Sequence, residues 1–280
     1  MDAQFSPTIL RYLKSHILSV AGTWSTVVIG TGAARRNEDQ VALAINKWAD
    51  SVVALRGKTG ELVWGFQLVH HDLWDYDTAS PPLLATLRRA GKETPVVIAG
   101  NKTGFLYVLD RDTGLPVFPV EERPVPQSDV PGEVTSPTQP FPLAPPPLAP
   151  QKLSAADVWG TIPADVDVCQ KWLLAFRNEG ISTPPSLQGT LVVPGKIGGM
   201  TWSSYAFDPE RSLLLVPTNN IAAVAKLIPS EKFEDAARSG EDGDYEPQTG
   251  APTECSGGFS KLHQTYRAVR RHGVCSARLT

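Results

Sequence analysis

The sequence predicts an all-β protein, and three observations carry that prediction. Short runs rich in β-branched and large apolar residues recur, two of the connections between them repeat one another, and one long stretch holds too much proline for a central strand. The runs are Ser51–Leu55, Glu61–Trp64, Pro95–Ala99, Phe105–Leu109, Thr190–Val193 and Leu213–Val216, each closed by turn residues. The repeated connections are Ala54-Leu-Arg-Gly-Lys-Thr-Gly-Glu-Leu-Val-Trp64 and Val108-Leu-Asp-Arg-Asp-Thr-Gly-Leu-Pro-Val-Phe118. In both, Thr-Gly supplies a tight turn and an aromatic residue closes the next strand, with Gly60 and Gly114 lying 54 residues apart. A period of that size, with four short strands per unit, is what a radial β-propeller produces, because each blade buries its faces on its neighbours. A β-sandwich is the rival reading of the same runs.

Between Pro116 and Pro150 proline removes the backbone donors a ladder needs, so this stretch is read as a long extended insertion. Phe141, Leu143 and Leu148 predict that it packs along a surface. Ser154 to Trp159 begins like a capped helical turn, and Cys169 to Arg177 reads as a short helix.

With 280 residues, 41% of them hydrophobic, the chain can bury a substantial core as one large or two ordinary domains. A net charge of -3 supplies no basic field, and the cluster Arg267, Arg270 and Arg271 stands alone in the tail, so nucleic acid is excluded as a partner. Cys169, Cys255 and Cys275 are odd in number and lack ligand spacing, which supports neither a disulfide framework nor a zinc site. The apolar stretch 17–34 is diluted by Gly22, Thr23, Ser25 and Thr26; it is read neither as a signal nor as a membrane span, which requires about 20 apolar residues.

Chemistry concentrates in Val69-His-His-Asp-Leu-Trp-Asp-Tyr-Asp77, with two histidines, three carboxylates and two aromatics. Lys102 follows in Ala99-Gly-Asn-Lys-Thr-Gly104, so an acid and a distant cation lie on neighbouring strands, as in an active site. The bland reading of Asp72 and Asp77 is a turn or capping role, and that of His70 and His71 is a hydrogen-bonded structural role.

The strings His70-His-Asp-Leu-Trp-Asp-Tyr-Asp77, Asn101-Lys-Thr-Gly104, Pro119-Val-Glu-Glu-Arg-Pro-Val-Pro126, Ser136-Pro-Thr-Gln-Pro-Phe141, Asn178-Glu-Gly-Ile-Ser-Thr-Pro-Pro185 and Gln188-Gly-Thr190 closely resemble quinoprotein dehydrogenases of the membrane-bound glucose/quinate/shikimate group, which use pyrroloquinoline quinone (PQQ). The resemblance covers about Asn46 to Gly250. It implies an eight-bladed propeller, of which this chain holds about half the blades, at the periplasmic face of the inner membrane. It also implies oxidation of a sugar or polyol hydroxyl with electrons passed to ubiquinone; a non-catalytic truncated remnant is the alternative.

By that resemblance Asp75 is the general base and a candidate ligand of Ca²⁺ or Mg²⁺. Lys102 contacts the quinone oxygens from the opposite side of the cofactor, and Trp202 and Asn219 are candidate cofactor contacts. A polar metal ligand expected 42 residues before the base is replaced by Ala33, and two asparagines expected near the cofactor by Lys196 and Pro217. Residues 1–45 therefore read as a divergent N-terminal segment and 46–252 as partial propeller. The stretch 253–280 reads as an out-of-frame tail produced by a single-base deletion near codon 252.

Overall fold

The structure, a computed structural model, describes residues 26–30, 48–131, 133–159, 163–229, 232, 244–246, 259–265 and 276–277. Strands β1 (Thr26–Gly30), β2 (Ser51–Arg56) and β3 (Leu62–Gln67) form an antiparallel sheet in that order. A second meander joins β4 (Leu83–Arg89), β5 (Lys92–Gly100) and β6 (Leu106–Asp110). A two-stranded ribbon, β7 (Val120–Pro124) with β8 (Thr138–Pro142), follows; then come β9 (Val158–Trp159), helix α1 (Pro163–Leu174) and β10 (Thr190–Val192). Next, β11 (Ala206–Asp208) pairs with β12 (Leu213–Leu215). Strand β13 (Ala223–Pro229) lies between β10 and β15 (Phe259–Thr265), with β14 (Asp244–Glu246) outermost, and β16 (Ser276–Ala277) pairs with β9.

The 54-residue repeat holds at the level of single hydrogen bonds. Arg56 N–H donates to the Glu61 carbonyl and Gly60 N–H to the Arg56 carbonyl, each at 2.8 Å; Asp110 to Leu115 and Gly114 to Asp110 repeat both bonds at 2.8 Å. Gly60 (φ 72°) and Gly114 (φ 73°) take the left-handed conformation that side chains disfavour. Trp64, which closes the first hairpin, lies on the second: its Nε1–H donates to the Arg111 carbonyl at 3.0 Å, and a Cβ on Gly114 would meet Trp64 Cδ2 at 2.5 Å. One repeat thus docks on the next through its tryptophan.

The core explains why these strands are apolar without interruption. Successive side chains of a strand point to opposite faces. Val97 and Ala99 of β5 with Tyr107 and Leu109 of β6 join a cluster with Val52, Ala54, Trp64, Trp74 and Tyr76. The alternate residues Val96, Ile98, Leu106 and Val108 join Met200 and Tyr205, with Leu214 and Val216 against them. The sheet β4–β6 is therefore covered on both faces, as a blade between two neighbours is. A third cluster, Leu153, Leu173, Leu191, Val193 and Val224, packs helix α1 onto β10 and β13.

Several expectations are corrected. The proline-rich stretch does contain strands, but only as the ribbon β7–β8, where Pro124, Pro140 and Pro142 cost few ladder donors. Strands β4, β11 and β13 were not predicted. Helix α1 begins at Pro163, ahead of the expected Cys169, because proline suits a first helical position. The expected turn is present as a single 3₁₀ turn, Ala155–Asp157, capped by Ser154. Cys169, buried on α1, is disulfide-bonded: an odd count leaves one cysteine over but does not stop two from pairing. Of the stretch 17–34, only β1 is described. No helix among the described residues is long and apolar enough to cross a membrane.

Candidate active site

The acidic segment after β3 is shaped by its own first aspartate. Asp72 accepts from Trp74 N–H at 2.8 Å and from Tyr76 N–H at 2.6 Å, a local turn that bends the chain without a helix or ladder. Trp74 and Tyr76 then stack with centroids 5.7 Å apart. Both are pinned from behind: Trp74 Nε1–H donates to the Thr183 carbonyl and Tyr76 O–H to the Pro194 carbonyl, each at 2.7 Å. Between these two anchors Asp75 takes a left-handed conformation (φ 68°), one that aspartate tolerates better than most side chains. Its side chain stays 51% exposed.

Lys102 comes from the turn after β5. Asn101 holds that turn by accepting Thr103 N–H at 3.3 Å and ties it to the acidic segment by donating to the Tyr76 carbonyl at 3.4 Å. The Lys102 ammonium donates to Asp75 Oδ2 at 2.7 Å and to Asp77 Oδ2 at 2.8 Å. Burial pulls the ammonium towards neutrality, but the two carboxylates and their hydrogen bonds outweigh it and hold its pKa above the ordinary lysine value. The expected acid and cation are thus in direct contact, not on opposite sides of a gap.

The other predicted positions join through the main chain. Lys102 N–H donates to the Asp77 carbonyl at 3.2 Å, Gly199 N–H to the Lys102 carbonyl at 2.8 Å, and Asn219 N–H to the Gly199 carbonyl at 2.8 Å. Four segments distant in sequence are so laid side by side. Trp202, three residues beyond Gly199, is 56% exposed. Its loop is held by Ser80, whose hydroxyl oxygen contacts the carbonyls of Thr201 and Ser203.

The histidines are hydrogen-bonded, in line with the structural reading. His70 Nδ1 meets Gln67 Oε1 at 2.7 Å and Nε2 meets Glu122 Oε1 at 3.1 Å, and Gln139 bonds both the N–H and the carbonyl of His70. His71 Nε2 lies 2.8 Å from Glu133 Oε1. Asp72 fills the turn role expected of it. Asp77 does not, since its carboxylate binds Lys102.

Sequence reasoning missed two groups. Asp77 gave no signal beyond its place in the acidic run, because the left-handed residue at Asp75 breaks the two-residue alternation that an extended segment would show. Asp50, in the turn just before β2, is 1% exposed, and neither carboxylate oxygen has a hydrogen-bond partner. Burial, then the charges of Asp72, Asp77 and Asp75, push its pKa well above the usual carboxylate range, with Lys102 opposing. Among the described residues, no three His, Cys, Asp or Glu side chains converge to hold a metal. Asp75 is bonded to Lys102, and Ala33 lies outside the described residues.

A sheet covered on both faces by its neighbours, with a carboxylate and an ammonium meeting beside it, is the build of a β-propeller blade. Residues 26–269 match the PQQ glucose/ethanol/alcohol dehydrogenase β-propeller domain, and the chain belongs to that family. It is 42% identical over 212 residues to quinoprotein glucose dehydrogenase of Escherichia coli K12, covering 74% of this chain and 26% of that protein. It is 38% identical over 186 residues to quinate/shikimate dehydrogenase (quinone) of Acinetobacter baylyi, covering 66% and 23%. The chain thus spans about a quarter of the length of these relatives. The propeller reading of the strand pattern stands over the sandwich, as a partial propeller.

Proposed function

We propose that this chain carries the base and its electrostatic partner for PQQ-dependent oxidation of a sugar or polyol hydroxyl. The observation that carries the reading is the Lys102–Asp75 contact at 2.7 Å, with Asp75 half exposed and Lys102 buried behind it. PQQ, when bound, supplies the quinone that takes up the hydride. Lys102 fits an electron-rich carbonyl oxygen, because an ammonium fixed in a low-dielectric setting stabilises negative charge developing beside it. Asp75 Oδ2 is the atom that takes the substrate hydroxyl proton, which requires a carboxylate within hydrogen-bond reach of that hydroxyl. To do so it exchanges its bond to Lys102 for one to the substrate. Exposed Trp202 offers a flat face to a planar ring system, and Asn219 stands one main-chain bond from the same loop. The family resemblance extends the proposal to ubiquinone as electron acceptor and to the periplasmic face of the inner membrane. No step is assigned to a metal.

The test is dye reduction by the purified chain with PQQ, Ca²⁺ and glucose or quinate. Asp75→Asn is the informative variant, because asparagine also tolerates the left-handed backbone and only the carboxylate is lost. Dye reduction in the wild type, abolished in Asp75→Asn, is the expected result. A second reading, a non-catalytic partial propeller, is favoured by apolar side chains left in solvent on two sheets: Leu62 and Val63 of β3, Leu213 and Leu215 of β12. Absence of both dye reduction and PQQ binding would establish that reading instead. The out-of-frame origin of residues 253–280 is proposed alongside, and an intact frame on resequencing around codon 252 would refute it.

A further inference from the structure

The two carboxylates on Lys102 are unlike each other. Asp75 is 51% exposed on a left-handed turn, where water competes for its oxygens, whereas Asp77 is 13% exposed. Asp77 also grips the lysine twice. Its side chain accepts from the ammonium at 2.8 Å and its carbonyl accepts from the Lys102 amide at 3.2 Å. The contact is therefore fixed at both ends of the lysine.

The base of the lysine stem is packed in place. Gly199 N–H holds the Lys102 carbonyl at 2.8 Å, and Gly198 lies so close that a Cβ there would fall 2.7 Å from Lys102 Cα and nearer still to its Cβ and Cγ. Asn101 anchors the preceding residue to the Tyr76 carbonyl. When Asp75 turns to another partner, the ammonium stays where the buried carboxylate is. Removing one partner of a buried charge leaves the other uncompensated, so the lysine follows the partner it cannot leave.

We infer that Asp77 is the positioning residue of the site: it holds the Lys102 ammonium in place while Asp75 releases it to serve as base. This rests on the proposed function for the role of Asp75, but the holding of Lys102 is a property of the cofactor-free chain. A single carboxylate could not do both tasks. An Asp75 paired alone with Lys102 would carry the ammonium with it or stay bound to it. With Asp77 present the cation keeps a buried partner throughout, and the exposed carboxylate is free to exchange.

The experiment labels lysines of the cofactor-free protein with a water-soluble acetylating ester and reads each site by peptide mass spectrometry. Exposed Lys58 and Lys92 report reagent and fold. Lys102 is protected in the wild type. In Asp77→Asn it is acetylated about tenfold faster, as expected when a buried pair loses the member that shields it. Asp77→Glu restores protection, which a merely structural role in the turn would not predict, and Asp75→Asn leaves Lys102 protected. Lys58 and Lys92 keep their wild-type rates in all three variants. Unchanged labelling of Lys102 in Asp77→Asn overturns the inference, as does equal deprotection in Asp75→Asn. Should Asp77→Asn accelerate Lys58 and Lys92 as well, Asp77→Glu decides: failure to protect Lys102 in that folded variant is also a refutation. Because no PQQ is used, a failed dye assay leaves this result standing, and a failed labelling result leaves the dye assay standing.

Discussion

Replacing Gly198 by alanine tests whether the Lys102 stem is clamped. Two costs arise. Gly198 has φ +84°, a conformation that costs an alanine about 1 kcal/mol. The new Cβ would also lie 2.7 Å from Lys102 Cα, and overpacking of this kind typically costs about 1–3 kcal/mol. The lysine cannot yield cheaply, because its ammonium is bonded at 2.7 and 2.8 Å and its main chain at both N–H and carbonyl. Gly91, in the two-residue turn between β4 and β5, supplies the control: at φ +75° its added Cβ meets nothing within 4 Å, so Gly91→Ala carries the backbone cost alone. Urea unfolding followed by tryptophan fluorescence, compared at equal m-values, should show Gly198→Ala exceeding Gly91→Ala by about 1–3 kcal/mol. Equal losses in the two variants would refute the clamp.

Asp50 makes a pH prediction. Its folded pKa is raised, so the folded state holds this proton more tightly than the unfolded chain. The stability it contributes is complete below the unfolded value near 3.8 and is lost as pH rises through the folded pKa. Asp50→Asn should remove that dependence, and its urea midpoint should gain on the wild type as pH increases from about 4 upward. Trp64→Ala should cost about 3–5 kcal/mol in the same assay, since it empties the contact on Gly114 and leaves the Arg111 carbonyl without its donor. Gln139→Leu should cost about 2–4 kcal/mol, because both the N–H and the carbonyl of His70 lose their partner.

The hairpin turns were legible because their chemistry is local: a Thr-Gly pair at each copy sets a left-handed residue and one pair of hydrogen bonds. The buried strands β2, β5 and β6 were legible for a related reason, since a run apolar on both faces has few places to go. What stayed hidden depends on partners far along the chain. Strands β7 and β8 were masked by prolines that a two-stranded ribbon tolerates and a central strand would not. Asp75 and Lys102 were found through motif resemblance, and their direct contact became visible only with the turn set by Asp72. Asp77 looked like a spare turn residue until the lysine that it binds arrived 25 positions later. Asp50 carries no motif, and its character comes from burial beneath segments that do not neighbour it in sequence.

The bonds from Asp77 to Lys102, Gly199 and Asn219 run through peptide groups, and every residue type but one brings the same peptide group. Proline at positions 102, 199 or 219 would lack the hydrogen to give, and at 199 any side chain would also bring a Cβ within 2.6 Å of Ala149 Cβ. Along Trp202 to Asn219 it is therefore the exposed positions that tolerate change, while Tyr205, Leu214 and Val216 stay tied to the core. Mutations at those exposed positions alter the surface near Lys102 and Asp75 without removing the main-chain bonds that hold Lys102, so that surface can diversify while the geometry behind it is inherited unchanged.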